Sequence, residues 1–173
     1  MKKIVLTYGL ISGVIFAITL IAGTFFQEQI GYDHAEYLGY TTMVAAFVIV
    51  YFGVRSYRDN VLGGAIKFGA AFRAGLLITL ISCACYVASW EFVYYKLAPD
   101  FYEKYAAHAV EKAKAAGLSQ TKIDAQAVEM KKMADMYKNP AVNVAMTFVE
   151  VFPIGLVFAL VGAVLLSRQK KLL

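Results

Sequence analysis

Four long apolar stretches, each with at most one charged residue, most constrain how this chain can fold. They run over residues 4–26, 37–54, 74–95 and 141–166. Crossing the hydrocarbon core of a bilayer, about 30 Å thick, takes roughly 20 apolar residues in a helix. Because a backbone inside lipid must satisfy its own hydrogen bonds, we expect each stretch to be a transmembrane helix.

The composition supports this interpretation. Of the 173 residues, 60% are hydrophobic and 17% are charged, whereas soluble proteins average about 45–50% and 25%. The first apolar stretch is much longer than the roughly 7–15-residue core of a signal peptide, so we expect it to be retained as a span. The sequence therefore predicts an all-α membrane protein with a single transmembrane domain over residues 1–173.

Lysine and arginine flank the spans, and their distribution indicates orientation. The loop between the second and third spans carries Arg55, Arg58, Lys67 and Arg73, whereas residues 27–36 carry no lysine or arginine. Cytoplasmic loops are enriched in these residues. Both termini are therefore expected in the cytoplasm, together with the tail residues Arg168, Lys170 and Lys171. The eight lysines of residues 96–139 would then lie outside, interleaved with six acids.

The long segment between the third and fourth spans, residues 97–139, has the pattern of a helical hairpin. Pro99 suits a helix start, Gly117 suits a stop, and Ser119 suits the start of a second helix. The two narrow, alanine-rich stripes favour packing of these helices on each other or on the membrane. A methionine-bearing face could also receive a peptide partner. We predict an extracytoplasmic helical hairpin here.

Several segments together resemble the domain-of-unknown-function 4199 family. They are GVRSYRDN from Gly53, GGAIKFGAAFRAGLLITLI from Gly63, APDFYEKYAAHAVEKAKAAG from Ala98, and MADMYKNPAVNVAMTFVEVFPIGL from Met133. The resemblance covers nearly the whole chain. It implies a bacterial inner-membrane protein with four spans, and it implies no catalytic residues.

Two carboxyl groups inside spans are the strongest candidates for a site. Glu91 and Glu150 lie near the same end of antiparallel spans, and acidic residues within a span are rare. We expect both to face the bundle interior, close enough to face one another. Glu150 is expected to be protonated and hydrogen-bonded to Glu91, Tyr86, Tyr94, Thr42 or the Met146 carbonyl. Pro153 would free the Val149 carbonyl and bend the helix beside it, as in transporter ion sites. The alternative is a structural hydrogen bond across helices.

Small residues recur every four positions in the first and fourth spans. Such ridges let helices approach closely, so we expect these spans to pack together within the monomer; the alternative is a homodimer. The ridges consist of Gly9, Gly13, Ala17, Gly155, Ala159 and Ala163.

The basic loop offers a second surface. Arg55, Arg58, Asp59, Lys67 and Arg73 are expected to contact anionic lipid headgroups or an unknown cytoplasmic protein. Residues 65–75, which follow Gly63 and Gly64, could form a short amphipathic helix on the inner face. The net charge of +5 reflects these flanks, so we expect no nucleic-acid partner. Neither histidine nor cysteine spacing predicts a metal site, and no cofactor or nucleotide motif is present.

Two hypotheses for function follow. The first is a non-enzymatic scaffold or regulatory protein that contacts partners through the hairpin and the basic loop. The second is a small proton-coupled transporter or permease subunit that uses Glu150 and Glu91. An enzyme is not expected, because no catalytic motif is present.

Overall fold

The structure, a computed structural model, describes residues 1–167, apart from the side chains of Glu28, Tyr32, Asp33 and Glu36. The tail residues used above to infer orientation, Arg168, Lys170 and Lys171, lie outside the described residues. Seven α-helices make up the described chain: α1 (Lys2–Phe25), α2 (Gln27–Ile30), α3 (Tyr32–Val61), α4 (Phe68–Phe92), α5 (Phe101–Ala115), α6 (Gln120–Tyr137) and α7 (Pro140–Ser167). One π-helical turn, Val93–Leu97, extends α4.

Four of these helices, α1, α3, α4 and α7, are long and apolar enough to cross a membrane. The other long pair, α5 and α6, forms a hairpin between the third and fourth spans. The predicted all-α fold with four spans and a helical hairpin is therefore confirmed.

The span boundaries differ from the prediction on the side of the basic loop. Helix α3 continues to Val61, so the charged SYRDN segment is helical, and α4 begins at Phe68. A tight turn joins them, with Gly63 and Gly64 at φ of 69° and 95°, a region that glycine enters at little cost. The separate amphipathic helix expected over residues 65–75 is wrong, because α4 continues without a break from Phe68 into the third span.

The four spans form a bundle in which α4 and α3 each pack against both α1 and α7. Helices α1 and α7 therefore occupy opposite corners. Fully buried Phe16, Phe47 and Ile78 fill the centre. Two hydroxyl groups cross between helices: Ser12 donates to the Ala46 carbonyl at 3.0 Å and Thr79 donates to the Gly155 carbonyl at 3.2 Å. Small polar side chains thus help to hold the spans in register.

The two ridges of small residues lie inside the monomer, but they do not meet. A Cβ on Gly13 would lie 2.5 Å from the Cβ of Cys85, and a Cβ on Gly155 would lie 2.5 Å from Thr79 Cγ2. Gly9 similarly faces Ile81. Both ridges therefore receive α4, and the predicted contact between the first and fourth spans is wrong. Tertiary packing places the third span between them. The remaining ridge residues are half-buried Ala17 and fully buried Ala159 and Ala163.

The hairpin is joined to the end of the bundle by aromatic side chains. The ring of Tyr102 lies 4.2 Å from that of Tyr137, and Phe101 packs edge-on against Trp90 at 5.1 Å. Tyr94, in the π-helical turn, lies 5.7 Å from Tyr102. These contacts connect α4, α5 and α6 into one cluster. They hold the start of α5 over the end of the bundle.

Candidate functional site

A half-open cavity of about 350 Å³ lies at the hairpin end of the bundle; we call it the hairpin-side cavity. It is bounded by the second half of α1, by α2, by the beginning of α3, and by the parts of α4, α5 and α7 nearest the hairpin. Its lining is mainly apolar and aromatic, with several hydroxyl groups. Its aromatic and polar lining includes Phe16, Tyr40, Tyr86, Trp90, Phe101, Tyr102, Tyr105, Thr147 and Glu150.

The cavity ends in the packed centre of the bundle. Phe16, which forms part of its wall, is 1% exposed and contacts the rings of Phe47 and Tyr86 at centroid distances of 5.4 and 5.0 Å. Towards the opposite end of the bundle, Val50 and Val54 are fully buried. The cavity is therefore a half-open pocket with a closed floor at the centre of the bundle.

Glu150 lines the hairpin-side cavity. Tyr86 and Tyr102 line the same cavity, but no described residue forms the predicted hydrogen bond with Glu150. Among the described residues that line the cavity, it is the only acid or base apart from the tyrosines. The expectation that it faces fully inward is wrong: Glu150 is exposed and shares its helix face with exposed Met146 and Val149. It lies at the edge of the cavity.

The cavity does not bring Glu91 and Glu150 together. Glu91 is half-buried, one of its carboxyl oxygens is enclosed without a hydrogen-bond partner, and it is not part of the cavity lining. The expectation that the two carboxyl groups share a site is therefore wrong. Their positions along the two antiparallel spans place both residues near the hairpin end of the bundle. Their side chains, however, point in different directions around the helix axes.

Some of the predicted partners of Glu150 line the cavity, and others lie outside it. Tyr86 and Thr42 line the cavity, although the Thr42 hydroxyl donates to the Leu38 carbonyl at 2.8 Å. Tyr94 belongs to the aromatic cluster but does not line the cavity. Pro153 is exposed, lies outside the cavity lining, and sits within α7, which is helical from Pro140 to Ser167 without interruption.

Asn143 does not line the cavity, but it binds two residues that do, and the sequence patterns did not single it out. It is fully buried, and its Oδ1 accepts hydrogen bonds from Trp90 Nε1 at 3.0 Å and from Thr147 Oγ1 at 3.2 Å. The indole can only donate, so it fixes which atom of the amide is the oxygen. The Nδ2 atom has no partner among the described residues. An asparagine in an apolar span, one turn before Thr147, was the available signal.

Tyr102 contributes a hydroxyl group that stays protonated. Its burial, and then the neighbouring Tyr137 hydroxyl, raise the pKa of the Tyr102 phenol well above its usual value. Because Tyr102 belongs to α5, the hairpin itself supplies a polar group and two aromatic rings, Phe101 and Tyr105, to the cavity wall.

The basic residues predicted to contact headgroups or a partner lie at the opposite end of the bundle. Asp59 accepts from Arg58 Nε at 2.7 Å and lies 3.5 Å from Arg55 Nε. Lys67 and Arg73 are exposed. These residues form a basic surface at the end of the bundle opposite the hairpin-side cavity.

Comparison with known proteins gives one family. Residues 7–168 match the model of a family described as "Protein of unknown function (DUF4199)". No curated protein and no solved structure matches the chain.

Proposed function

The chain belongs to the DUF4199 family of proteins of unknown function, and we propose that it is a non-enzymatic regulatory membrane protein that acts by binding. In this proposal, a small ligand occupies the hairpin-side cavity, and the hairpin contacts a protein partner. The observation that carries the proposal is the closed floor of the cavity, where Phe16 and Phe47 are buried at the centre of the bundle. A pocket with a closed floor suits the binding of a ligand from one side of the membrane.

The hairpin connects the cavity to an exposed surface. Helix α5 supplies Phe101 and Tyr102 to the cavity wall and packs along α6. Helix α6 carries exposed apolar side chains, among them Val128, which is 68% exposed, and Met136. A ligand that shifts α5 would therefore also shift the surface offered by α6.

The cellular setting is part of the same proposal. We place the protein in a bacterial inner membrane with both termini in the cytoplasm and the hairpin outside. Arg55, Arg58, Asp59, Lys67 and Arg73 would then lie at the cytoplasmic surface, where the four cations suit anionic headgroups. The hairpin-side cavity would then lie on the outer side of the membrane.

Photo-crosslinking tests the partner-binding proposal. A photoreactive amino acid at Val128, on the hairpin, should give discrete protein adducts in whole cells. The matched control is Val14, which is 56% exposed in the first span and should give lipid adducts only. Adducts at Val128 that vanish when the cavity is filled by Gly39→Leu would support coupling between cavity and hairpin. The absence of protein adducts along α6 would overturn the proposal.

A small proton-coupled transporter remains the second candidate, because the cavity reaches a carboxyl group inside the fourth span. Purified protein in proteoliposomes with an imposed pH gradient and an internal pH-sensitive dye separates the two. We expect the wild-type protein to give no more proton flux than the leak of protein-free vesicles. Proton flux that Glu150→Gln abolishes and Glu91→Gln preserves would favour transport instead.

A further inference from the structure

We propose that the hairpin-side cavity binds a small hydrophobic ammonium ion, with its charged nitrogen beside Glu150 and its apolar body against the aromatic wall. This inference rests on the proposed function and names the class of ligand that the cavity takes. It is drawn from the charge, the surface chemistry and the volume of the cavity.

The charge of the cavity favours a cation. Glu150 carries the only carboxylate among the described lining residues, which include no lysine, arginine or histidine. No hydrogen bond or ion pair holds this carboxylate within the part of the chain that the structure describes. An ammonium ion beside Glu150 would favour the ionised carboxylate over the protonated form that the sequence predicts.

The aromatic side chains favour the same ligand. Trp90, Tyr86, Tyr102 and Phe101 all line the cavity. The faces of such rings attract cations and gain most where water is excluded, which is how aromatic cages recognise alkylammonium groups. The same rings also offer apolar surface to the rest of the ligand. A hydrophilic cation would leave that surface uncovered.

The volume and the absence of basic groups separate an amine from a phospholipid. A cavity of about 350 Å³ is at the small end of the range for ligand pockets. An ethanolamine phospholipid also presents an ammonium group, but its phosphate would lie beside Glu150 with no described lysine or arginine in the lining to bind it. The ligand is therefore a compact amine that is small enough to fit entirely within the cavity.

The protein carries its own reporter for the test. Trp90 is the single tryptophan of the chain and lines the cavity, so its fluorescence reports occupancy directly. We would titrate the purified full-length protein in a non-ionic detergent with amantadine, a caged hydrocarbon with an ammonium group. Adamantanol, its neutral counterpart with nearly the same shape, is the paired ligand. We expect a saturable change in Trp90 emission and at least about tenfold tighter binding of the amine.

Two variants locate the charge effect. Glu150→Gln should remove the preference for the amine by weakening amantadine binding about tenfold. Glu91→Gln, which neutralises the other carboxyl group within a span but outside the cavity, should preserve the preference. Gly39→Leu should weaken both ligands, because Gly39 lines the cavity and nothing lies within 4 Å of where its Cβ would be.

The wild-type comparison needs no variant, so a misfolded mutant cannot obscure the result. Equal affinity for amine and alcohol, an unchanged preference in Glu150→Gln, or no saturable response to amantadine would each overturn the ammonium assignment. Crosslinking at Val128 is independent of these outcomes. Partner adducts without amine binding would refute this inference alone, whereas amine binding without adducts would refute the proposed partner-binding role.

Discussion

At the residue scale, the glycines of the spans have two different roles. Gly13 and Gly155 lie where another helix presses against them, so that a Cβ would come within 2.5 Å of a neighbour. Gly23 and Gly39 line the hairpin-side cavity, and nothing lies within 4 Å of their Cβ positions. The first pair permits close packing, and the second pair leaves the cavity open.

Alanine substitution should separate these two roles. Gly155→Ala should destabilise the protein by about 1–3 kcal/mol, since the added methyl group would press on Thr79 and Phe47. Gly39→Ala should stabilise it by about 0.5–1 kcal/mol, because alanine is the better helix former and meets no neighbour. Thermal unfolding in detergent measures both. Equal effects of the two substitutions would contradict the assigned packing.

The amide of Asn143 should contribute measurably to stability. Asn143→Leu would leave the half-buried Trp90 indole and the buried Thr147 hydroxyl without their acceptor, at a cost of roughly 1–3 kcal/mol. Trp90 emission should shift as well. In a Trp90→Phe background the same substitution should cost less, because the indole donor is then absent. Additive losses in the double variant would show that the bond contributes nothing.

At the element scale, α7 and the hairpin differ in what supports them. Helix α7 packs against two spans and remains helical through Pro153, whereas α5 and α6 rest mainly on each other and on the aromatic cluster. Surface charges at the hairpin ends pair locally, as in Asp100–Lys104 at 2.9 Å and Asp135–Lys138 at 2.8 Å. We therefore expect the hairpin to be the less stable unit.

Replacing Pro153 tests whether the proline shapes the site. Pro153→Ala restores an amide donor for the Val149 carbonyl, so stability should rise by up to about 3 kcal/mol. Amine binding should not change, because Pro153 is exposed and lies outside the cavity lining. Calorimetry and Trp90 titration provide the two readouts. If binding is lost while stability rises, the proline positions Glu150.

The acids at the hairpin ends should titrate below their usual range. Hydrogen bonds from Lys138 and Lys104 lower the pKa of Asp135 and Asp100, respectively. A lowered pKa in the folded state favours folding above the usual carboxyl value, about 3.9. That contribution is lost as the pH falls through the lowered value. Carboxyl ¹³C NMR should show midpoints below 3.9, and Lys138→Gln should return Asp135, but not Asp100, to the usual midpoint.

At the scale of the whole molecule, the two ends of the bundle differ in chemistry. The hairpin end has an acidic cavity edge and an aromatic cluster. The other end exposes arginine and lysine from the α3–α4 connection. The hairpin carries eight lysines interleaved with six acids, so our proposed orientation rests on the basic α3–α4 connection and on the absence of lysine and arginine from residues 27–36.

Cysteine labelling tests the orientation. In a background with Cys83 and Cys85 replaced by alanine, a cysteine at Val128 should react in intact cells with a membrane-impermeant maleimide. A cysteine at exposed Leu62, in the turn at the other end, should react only after the membrane is permeabilised. The reverse pattern would place the cavity opening in the cytoplasm.

Individual residues show how far the sequence could predict the site. Glu150 stood out because a carboxyl group in an apolar run is costly to insert, and it does line the cavity. Glu91 satisfied the same criterion but lies outside the cavity. Asn143 was missed, because a neutral amide is a much weaker signal in an apolar segment than a charge.

The sequence by itself determined that the chain has four spans and a helical hairpin, since segment length, hydropathy and helix-breaking residues are local properties. Only the tertiary structure decided that α4 lies between the two glycine ridges, that Glu91 and Glu150 are apart, and that α5 closes over a cavity. These features depend on how each helix is rotated about its axis. That rotation is set by contacts between side chains distant in sequence, such as Thr79 with Gly155 and Trp90 with Asn143.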